Sequence, residues 1–211
     1  MNRYMKADFY RIFGRVSRYI TLFILFAAPP EKELDWTDAG VAGNFRFLNR
    51  IWNMVYGFVP QLEQHVAEYD TTALTGADKD LRRALHQCIK KVSKDIELRF
   101  NFNTAISSMM ELMNSLDDYK KAVKEPHAGL IFEVVSNLVK MLAPFVPHIT
   151  EEIWTGIIDA ETSVHKQSWP EWDEEALKVD EIEIVLQVNG KVRGRLVVPS
   201  GASKEELDKL N

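Results

Sequence analysis

Cysteine is almost absent from this chain: among its 211 residues, only Cys88 carries a thiol. A single cysteine excludes an internal disulfide and does not form a zinc site by itself, which is typical of proteins from the reducing cytosol. We interpret Cys88 as a small buried apolar residue and expect a cytoplasmic protein.

Long apolar runs are also scarce. The one strongly apolar stretch, ITLFILFAAPP at 20–30, has about ten residues before a double proline, whereas a membrane span needs ~20. We therefore interpret it as a buried helix and expect no membrane partner. A signal peptide is the alternative, because Arg11, Arg15 and Arg18 precede the run and Ala27-Ala28 provides a cleavage-like sequence. The helical pattern that follows favours the buried helix.

Basic residues are slightly fewer than acidic ones: the sequence has 26 Lys and Arg residues and 31 Asp and Glu residues, which gives a net charge of −5. This balance argues against a protein that coats nucleic acid through bulk charge, so any nucleic-acid site must be a local basic patch.

Signatures of catalysis are absent too. The sequence has no Walker-type loop, no Gly-rich dinucleotide fingerprint and no Gly-x-Ser-x-Gly elbow. The string HITEE at 148–152 resembles an inverted zinc-protease motif, but Glu152 stands where the second histidine is needed. We expect no catalytic residue, no metal ligand and no cofactor-binding residue in this chain.

Helical periodicity is abundant from residue 38 to residue 158. Between 38 and 58 one apolar stripe faces a polar side that carries Arg46, Asn49, Arg50 and Asn53; the stripe consists of Phe45, Leu48, Trp52 and Val55. Thr75 and Asp78 form a capping box before the next stripe, which consists of Leu81, Leu85, Cys88, Val92 and Ile96. Core-spaced methionines, Met109 and Met113, follow, and another helix runs to about Leu142. The pattern predicts a bundle of four or five antiparallel helices.

The pattern changes after residue 158. The acidic, aperiodic stretch 159–180 is typical of a linker or of an extended wrapping segment. IEIVLQV and KVRGRLVV then alternate as strands do. Two strands cannot enclose a core, so this piece either belongs to a longer protein or docks on the bundle.

The Asn189-Gly190 pair between the strands favours a two-residue turn, but that turn would place an apolar row and a basic row on one face. We expect instead a three-residue loop, 188–190, in which Gly190 is left-handed and forms a G1 bulge. That register pairs Leu186 with Val192.

Two groups of basic and amide side chains are candidates for a nucleic-acid site, because Arg, Lys and Asn make most contacts to phosphate. The group on the helices consists of Arg46, Arg50, Asn53, Lys90, Lys94, Arg99, Asn101 and Asn103. The group on the hairpin consists of Lys191, Arg193 and Arg195. The alternative for both is a solvated charged face.

Four strings resemble bacterial-type leucyl-tRNA synthetases. They are LFILFAAPPEKELDWTDAGVAGNFRFLNRIW (22–52), RFNFNTAISSMMELMN (99–114), LAPFVPHITEEIW (142–154) and LQVNGKVRGRLVVPSGAS (186–203). The second and third are shared among the large class I synthetases for branched aliphatic amino acids, whereas PPE…LDW and VNGKVRG point to leucine. The resemblance covers about residues 20–211.

The resemblance implies a mainly α fold: an antiparallel helix bundle of the anticodon-binding type, followed by an incomplete small α/β piece with one β-hairpin. It implies an atypical N-terminal segment at 1–20, a helical domain at 21–158, a linker at 159–180 and a partial C-terminal domain at 181–211. The implied function is that of the tRNA-binding portion of a leucyl-tRNA synthetase, which positions tRNA(Leu) through backbone and shape contacts. The basic residues named above would then contact the backbone.

The family's two nucleotide-binding signatures, similar to His-Ile-Gly-His and Lys-Met-Ser-Lys-Ser, do not occur in this sequence. The resemblance therefore implies that this chain does not activate leucine alone, that ATP and Mg²⁺ belong to a catalytic domain missing from it, and that this domain is a partner. The competing hypothesis is a protein-interaction or self-associating helical module, for which Trp36, Trp169 and Trp172 are the residues to examine.

Overall fold

The computed structural model describes residues 38–178, 181–188 and 191–199. Its helices are α1 (Asp38–Tyr56), α2 (Val59–Leu62), α3 (Gly76–Arg99), α4 (Phe102–Ala122), α5 (Ala128–Leu142) and α6 (Pro147–Ile153). A π-helical turn, Trp154–Ile158, follows α6, and the strands are β1 (Glu181–Val188) and β2 (Lys191–Pro199). The prediction of a mainly α protein is confirmed. The predicted segment 1–20, the apolar run 20–30 and Trp36 lie outside the described residues.

The chain divides into two compact units, one ending at Asp173 and the other beginning at Glu174. None of the described helices is both long enough and apolar enough to cross a membrane.

The core of the first unit consists of the predicted apolar stripes. Three of the helices supply many of the fully buried side chains, which include Leu85, Ile89 and Val92 of α3, Ile106, Met109 and Met113 of α4, and Val134 and Leu138 of α5. Each such side chain contributes about 1.5–3 kcal/mol relative to an exposed one. The methionines therefore act as packing residues, as their spacing predicts.

Local hydrogen bonds set the start of α3. The predicted capping box is present at Thr75 and Asp78, where the Asp78 carboxylate accepts from the Thr75 backbone N–H at 2.9 Å. The Tyr119 hydroxyl donates to the same carboxylate at 2.6 Å, so the cap also ties α3 to the last turns of α4. Burial opposes the charged carboxylate, but the bonds from Thr75 and Tyr119 outweigh it and lower the pKa of Asp78. Burial, followed by the Asp78 contact, raises the pKa of Tyr119 to about 12.

The segment from 159 to 173 packs on the bundle. Val164 is buried, the Trp169 indole N–H donates to Ser93 Oγ at 2.8 Å, and the Asp173 backbone N–H donates to His86 Nδ1 at 3.1 Å. Of the two interpretations offered by the sequence, a linker or a wrapping segment, these contacts favour wrapping as far as Asp173.

In the second unit β1 and β2 pair in antiparallel fashion, and their register corrects the predicted one. Val188 pairs with Lys191, so only residues 189–190, which lie outside the described residues, connect the strands. Leu186 pairs with Gly194 instead of the predicted Val192, because the register shifts between Leu186 and Gln187. The extra residue is therefore accommodated within β2 and not in a three-residue loop.

Candidate nucleic-acid interface

A groove of about 610 Å³ lies beside α1 and the C-terminal half of α4, and three of the predicted residues line it together. These three are Arg46, Arg50 and Asn53. The remaining lining residues are Phe45, Asn49, Met54, Phe58, Asp117 and Lys120.

Helical spacing arranges the α1 side of the groove in two adjacent rows. Residues four apart lie one turn apart on the same face of a helix. One row therefore holds an aromatic ring and two amides, and it consists of Phe45, Asn49 and Asn53. The other row holds two guanidinium groups and a thioether, and it consists of Arg46, Arg50 and Met54.

Arg50 is held in place by α4. Its Nη2 atom donates to Asp117 Oδ2 at 2.6 Å and to Asn114 Oδ1 at 2.7 Å. Both charged side chains are more than one-third exposed, so solvent screens the pair and its contribution to stability is at most about 1 kcal/mol. The pair therefore orients the guanidinium group, whose other N–H donors are not used in these two bonds.

Arg46 is exposed and makes no hydrogen bond or ion pair with any other residue that the structure describes. All five of its N–H donors are therefore open to an anionic ligand within that part of the chain. The Asn53 side chain is likewise exposed and without a hydrogen bond there. The Asn49 amide donates to the carbonyl of Phe45 at 2.7 Å, which leaves its own oxygen as an acceptor.

Lys120 closes the α4 side of the groove, although sequence reasoning did not select it. Its ammonium group donates to the Gly57 carbonyl at 3.1 Å and lies 4.9 Å from the centre of the Phe58 ring. Together with Arg46 and Arg50 it gives the groove three cations against the one carboxylate of Asp117, on a chain whose net charge is −5. The groove is thus a local basic site on an acidic protein.

The structure separates the other predicted residues from this groove. Lys90 and Lys94 lie on α3, where Lys90 Nζ is 5.9 Å from the Trp172 ring of the wrapping segment, and neither lines the groove. Asn101 and Asn103 lie at the N-terminal end of α4, which is 21 residues and therefore ~30 Å long. The side chains of Arg99, Lys191, Arg193 and Arg195 lie outside the described residues, so their predicted role stays a prediction.

Phe45 corrects the predicted apolar stripe of α1. Leu48, Trp52 and Val55 are buried as expected, but Phe45 is 42% exposed and lines the groove. It lies at the edge of the stripe, next to Asn49, where the helical spacing turns the side chains away from the core.

A largely buried polar cluster around Glu133 joins α3 and α5. The Glu133 carboxylate of α5 accepts a hydrogen bond from the Tyr69 hydroxyl, lies 3.2 Å from His86 Nε2 and 3.4 Å from Arg82 Nε. Because His86 Nδ1 accepts from the Asp173 backbone, its Nε2 carries the hydrogen that faces Glu133. Burial opposes the charged form of Glu133, but His86, Tyr69 and Arg82 outweigh burial and lower its pKa. These contacts join side chains of α3 and α5 to one another, to Tyr69 and to the wrapping segment, as structural contacts do.

Nothing in the described residues suggests a metal centre, because no group of three or more His, Cys, Asp or Glu side chains among them is arranged to hold an ion.

Residues 78–208 match the sequence profile of a family described as the anticodon-binding domain of tRNA ligase. The chain belongs to this family. Similar curated proteins are tRNA ligases as well. It is 47% identical over 189 residues to a leucine–tRNA ligase of Crocosphaera subtropica and 45% identical over 188 residues to one of Thermosipho melanesiensis. These alignments cover 90% and 89% of this chain but only 21% and 23% of the relatives, so the chain spans about a fifth of their length.

The fold is also similar to that of a solved structure, the ternary complex of Agrobacterium radiobacter K84 agnB2 LeuRS with tRNA and LeuAMS. The TM-score is 0.79 at 24% identity, and the similarity covers 100% of this chain and 27% of the other. At this level of identity the similarity establishes the fold.

Proposed function

We propose that this chain is the tRNA-binding portion of a leucyl-tRNA synthetase and that it positions tRNA(Leu) through contacts to the RNA backbone and to its overall shape. The observation that carries the proposal is the groove in which Arg46, Arg50 and Lys120 gather three cations on an acidic body. Membership of the anticodon-binding family and the leucine–tRNA ligase relatives support it.

The mechanism is electrostatic positioning. When Arg46 or Arg50 neutralises a phosphate, it displaces counterions that are condensed on the RNA, and their release supplies affinity that falls as salt rises. Arg50 is already oriented by Asp117 and Asn114, so less side-chain freedom is lost on binding. The backbone contacts fix the orientation of the RNA without reading its sequence.

The same proposal also assigns the catalytic chemistry, the cellular location and the domain boundaries. We place the ATP- and Mg²⁺-dependent chemistry in the catalytic domain of the parent enzyme, which is a partner of this chain, and the protein in the cytoplasm. We assign β1 and β2 to the beginning of a small α/β domain at 181–211, after the helical domain at 21–158 and the connecting segment at 159–180. By itself the chain then has no ligase activity.

The test is a titration of labelled tRNA(Leu) with the 211-residue chain at about 50 mM and about 200 mM salt. We expect binding that weakens with salt. The substitution Arg46→Gln should reduce the salt slope by roughly one, the amount expected for one lost phosphate contact. Lys121→Gln is the matched control, because Lys121 is on α4 beside Lys120 but does not line the groove. Binding that is absent at low salt, or independent of salt, contradicts the proposal.

A second candidate function, a protein-interaction or self-associating module, is favoured by one observation. Leu98 and Phe100, at the turn between α3 and α4, are 70% and 63% exposed. Trp169 is 39% exposed but hydrogen-bonded to Ser93. Exposed apolar groups of this kind are typical of contact surfaces. Sedimentation equilibrium decides the self-associating form: a mass that rises with concentration supports it, and a constant monomer mass contradicts it.

A further inference from the structure

The wrapping segment, residues 159–173, lies on the bundle in a largely extended form. Its one regular element is a 3₁₀ turn, Val164–Lys166, and the β-pairing in the described part of the chain involves only β1 and β2. The segment is therefore held by individual side chains and single backbone groups. This is how a bound peptide is held by a folded domain.

Glu151 of α6 holds the N-terminal end of the segment. Its Oε2 atom accepts from the Ser163 hydroxyl at 2.9 Å and from the Val164 backbone N–H at 3.0 Å. The Val164 side chain is buried in the core of the bundle. This end thus combines an apolar anchor with two hydrogen bonds to one carboxylate.

Two side chains of α3 hold the C-terminal end. Arg82 Nη2 donates to Asp173 Oδ2 at 3.0 Å, and the Asp173 backbone N–H donates to His86 Nδ1 at 3.1 Å. Arg82 and His86 are four residues apart, so they lie on one face of α3 and contact the side chain and the backbone of the same residue. Because hydrogen bonds between charged groups are the stronger kind, this end favours an acidic residue.

Apolar and aromatic residues fill the space between the two ends. Pro170 is buried, and Trp172 packs partly buried against the core, with Lys90 Nζ 5.9 Å from the centre of its ring. The Trp169 indole N–H donates to Ser93 Oγ at 2.8 Å. Buried tryptophans of this kind often dominate the affinity of protein interfaces.

We propose that the face of the bundle formed by α3 and α6 is a peptide-binding site, which the chain fills with its own wrapping segment. The partner that fits is an extended peptide with a valine-sized residue six positions before Pro-x-Trp-Asp, the spacing of Val164 and Pro170 in this chain. Covalent attachment keeps the segment at an effective concentration on the order of millimolar, so it blocks the site. A separate peptide of the same chemistry binds when the segment has left. This binding does not depend on RNA.

The experiment measures binding in trans of a labelled peptide with the sequence of residues 161–175, by fluorescence anisotropy. The receptor is the 211-residue chain with Val164→Asp and Asp173→Ala, because its own segment has then lost an anchor at each end. We expect saturable binding to this receptor and at least about 10-fold weaker binding to the wild-type chain, whose own segment competes. Circular dichroism confirms that the receptor is folded.

Substitutions in the peptide test which side chains are recognised. Asp173→Ala in the peptide should weaken binding by about 10-fold or more, the size expected for a lost hydrogen bond to a charged group. Lys166→Ala is the matched control, because the Lys166 side chain is exposed and makes no hydrogen bond or ion pair with another described residue. Arg82→Gln in the receptor should weaken the original peptide but hardly change the Asp173→Ala peptide, since both substitutions remove one contact.

The single variant Asp173→Ala, which keeps Val164 in the core, is a second receptor. It should also bind the original peptide more tightly than the wild-type chain does, so the inference stays testable where the double variant does not fold. The inference is overturned if no folded receptor binds the peptide, or if the Asp173→Ala and Lys166→Ala peptides bind equally well. Simple addition of the effects of Arg82→Gln and Asp173→Ala would also contradict it.

Discussion

Replacing Glu133 with glutamine tests whether the polar cluster of the bundle is a main source of its stability. Glu133→Gln keeps the shape of the side chain and removes its charge. The carboxylate accepts from Tyr69 and His86 and faces Arg82, and its side chain is only 20% exposed. The amide nitrogen of glutamine would present hydrogens to one of these donors, and Arg82 would lose one of its two carboxylate partners.

The expected loss of stability follows from these contacts. Hydrogen bonds to charged groups contribute about 1.5–3 kcal/mol, and removing one partner of a buried ion pair costs about 3–5 kcal/mol. Arg82 keeps Asp173 at 3.0 Å, so it is not left alone. We therefore expect the free energy of unfolding to fall by about 2–4 kcal/mol.

Urea unfolding, followed by far-UV circular dichroism, measures this change. The control is Glu111→Gln, because the Glu111 side chain is 73% exposed and its nearest cation, Lys91, is 3.9 Å away. The control should change the free energy of unfolding by less than about 0.5 kcal/mol. Equal effects of the two substitutions would refute the role of the cluster.

Three further predictions concern the same bundle. The difference in the free energy of unfolding between wild type and Glu133→Gln should have its full size above the ordinary glutamate pKa of 4.5. It should shrink as the pH falls through the lowered pKa of folded Glu133, which urea titrations in acid would measure. Gly129→Ala should destabilise the bundle by about 1–3 kcal/mol in calorimetry, because its Cβ would lie 2.7 Å from the Tyr69 ring; an unchanged melting temperature would contradict this. Burial raises the pKa of Cys88 to about 12, so a thiol reagent should label it far more slowly in the folded chain than in urea, and equal rates would show that it is accessible.

The helices could be predicted because their signals are local. Thr75 and Asp78 are three residues apart, and the stripe from Leu81 to Val92 repeats at the helical period, so both the start of α3 and its buried face follow from nearby residues.

The groove could be predicted only in part. Arg46, Arg50 and Asn53 share one face of α1, and helical spacing alone places them together. Lys120 and Asp117 follow more than sixty residues later, and no local pattern indicates that the end of α4 lies beside α1. The exposure of Phe45 likewise depends on which part of the helix its neighbours cover.

The register of the two strands could also be predicted only in part. The parity of the apolar positions correctly indicates that a regular two-residue hairpin needs an extra residue somewhere. It does not say where, because a bulge at Gly190 and a bulge within β2 restore the same alternation. The shift between Leu186 and Gln187 is the one that the structure contains.

The most direct test of RNA binding at the α1–α4 groove is ultraviolet cross-linking of tRNA(Leu) to the 211-residue chain, with the attached peptides identified by mass spectrometry. We predict cross-links within α1, at or next to Phe45 and Asn53, that diminish as salt rises. Cross-links that occur only on helices other than α1 and α4, or that do not respond to salt, would contradict it.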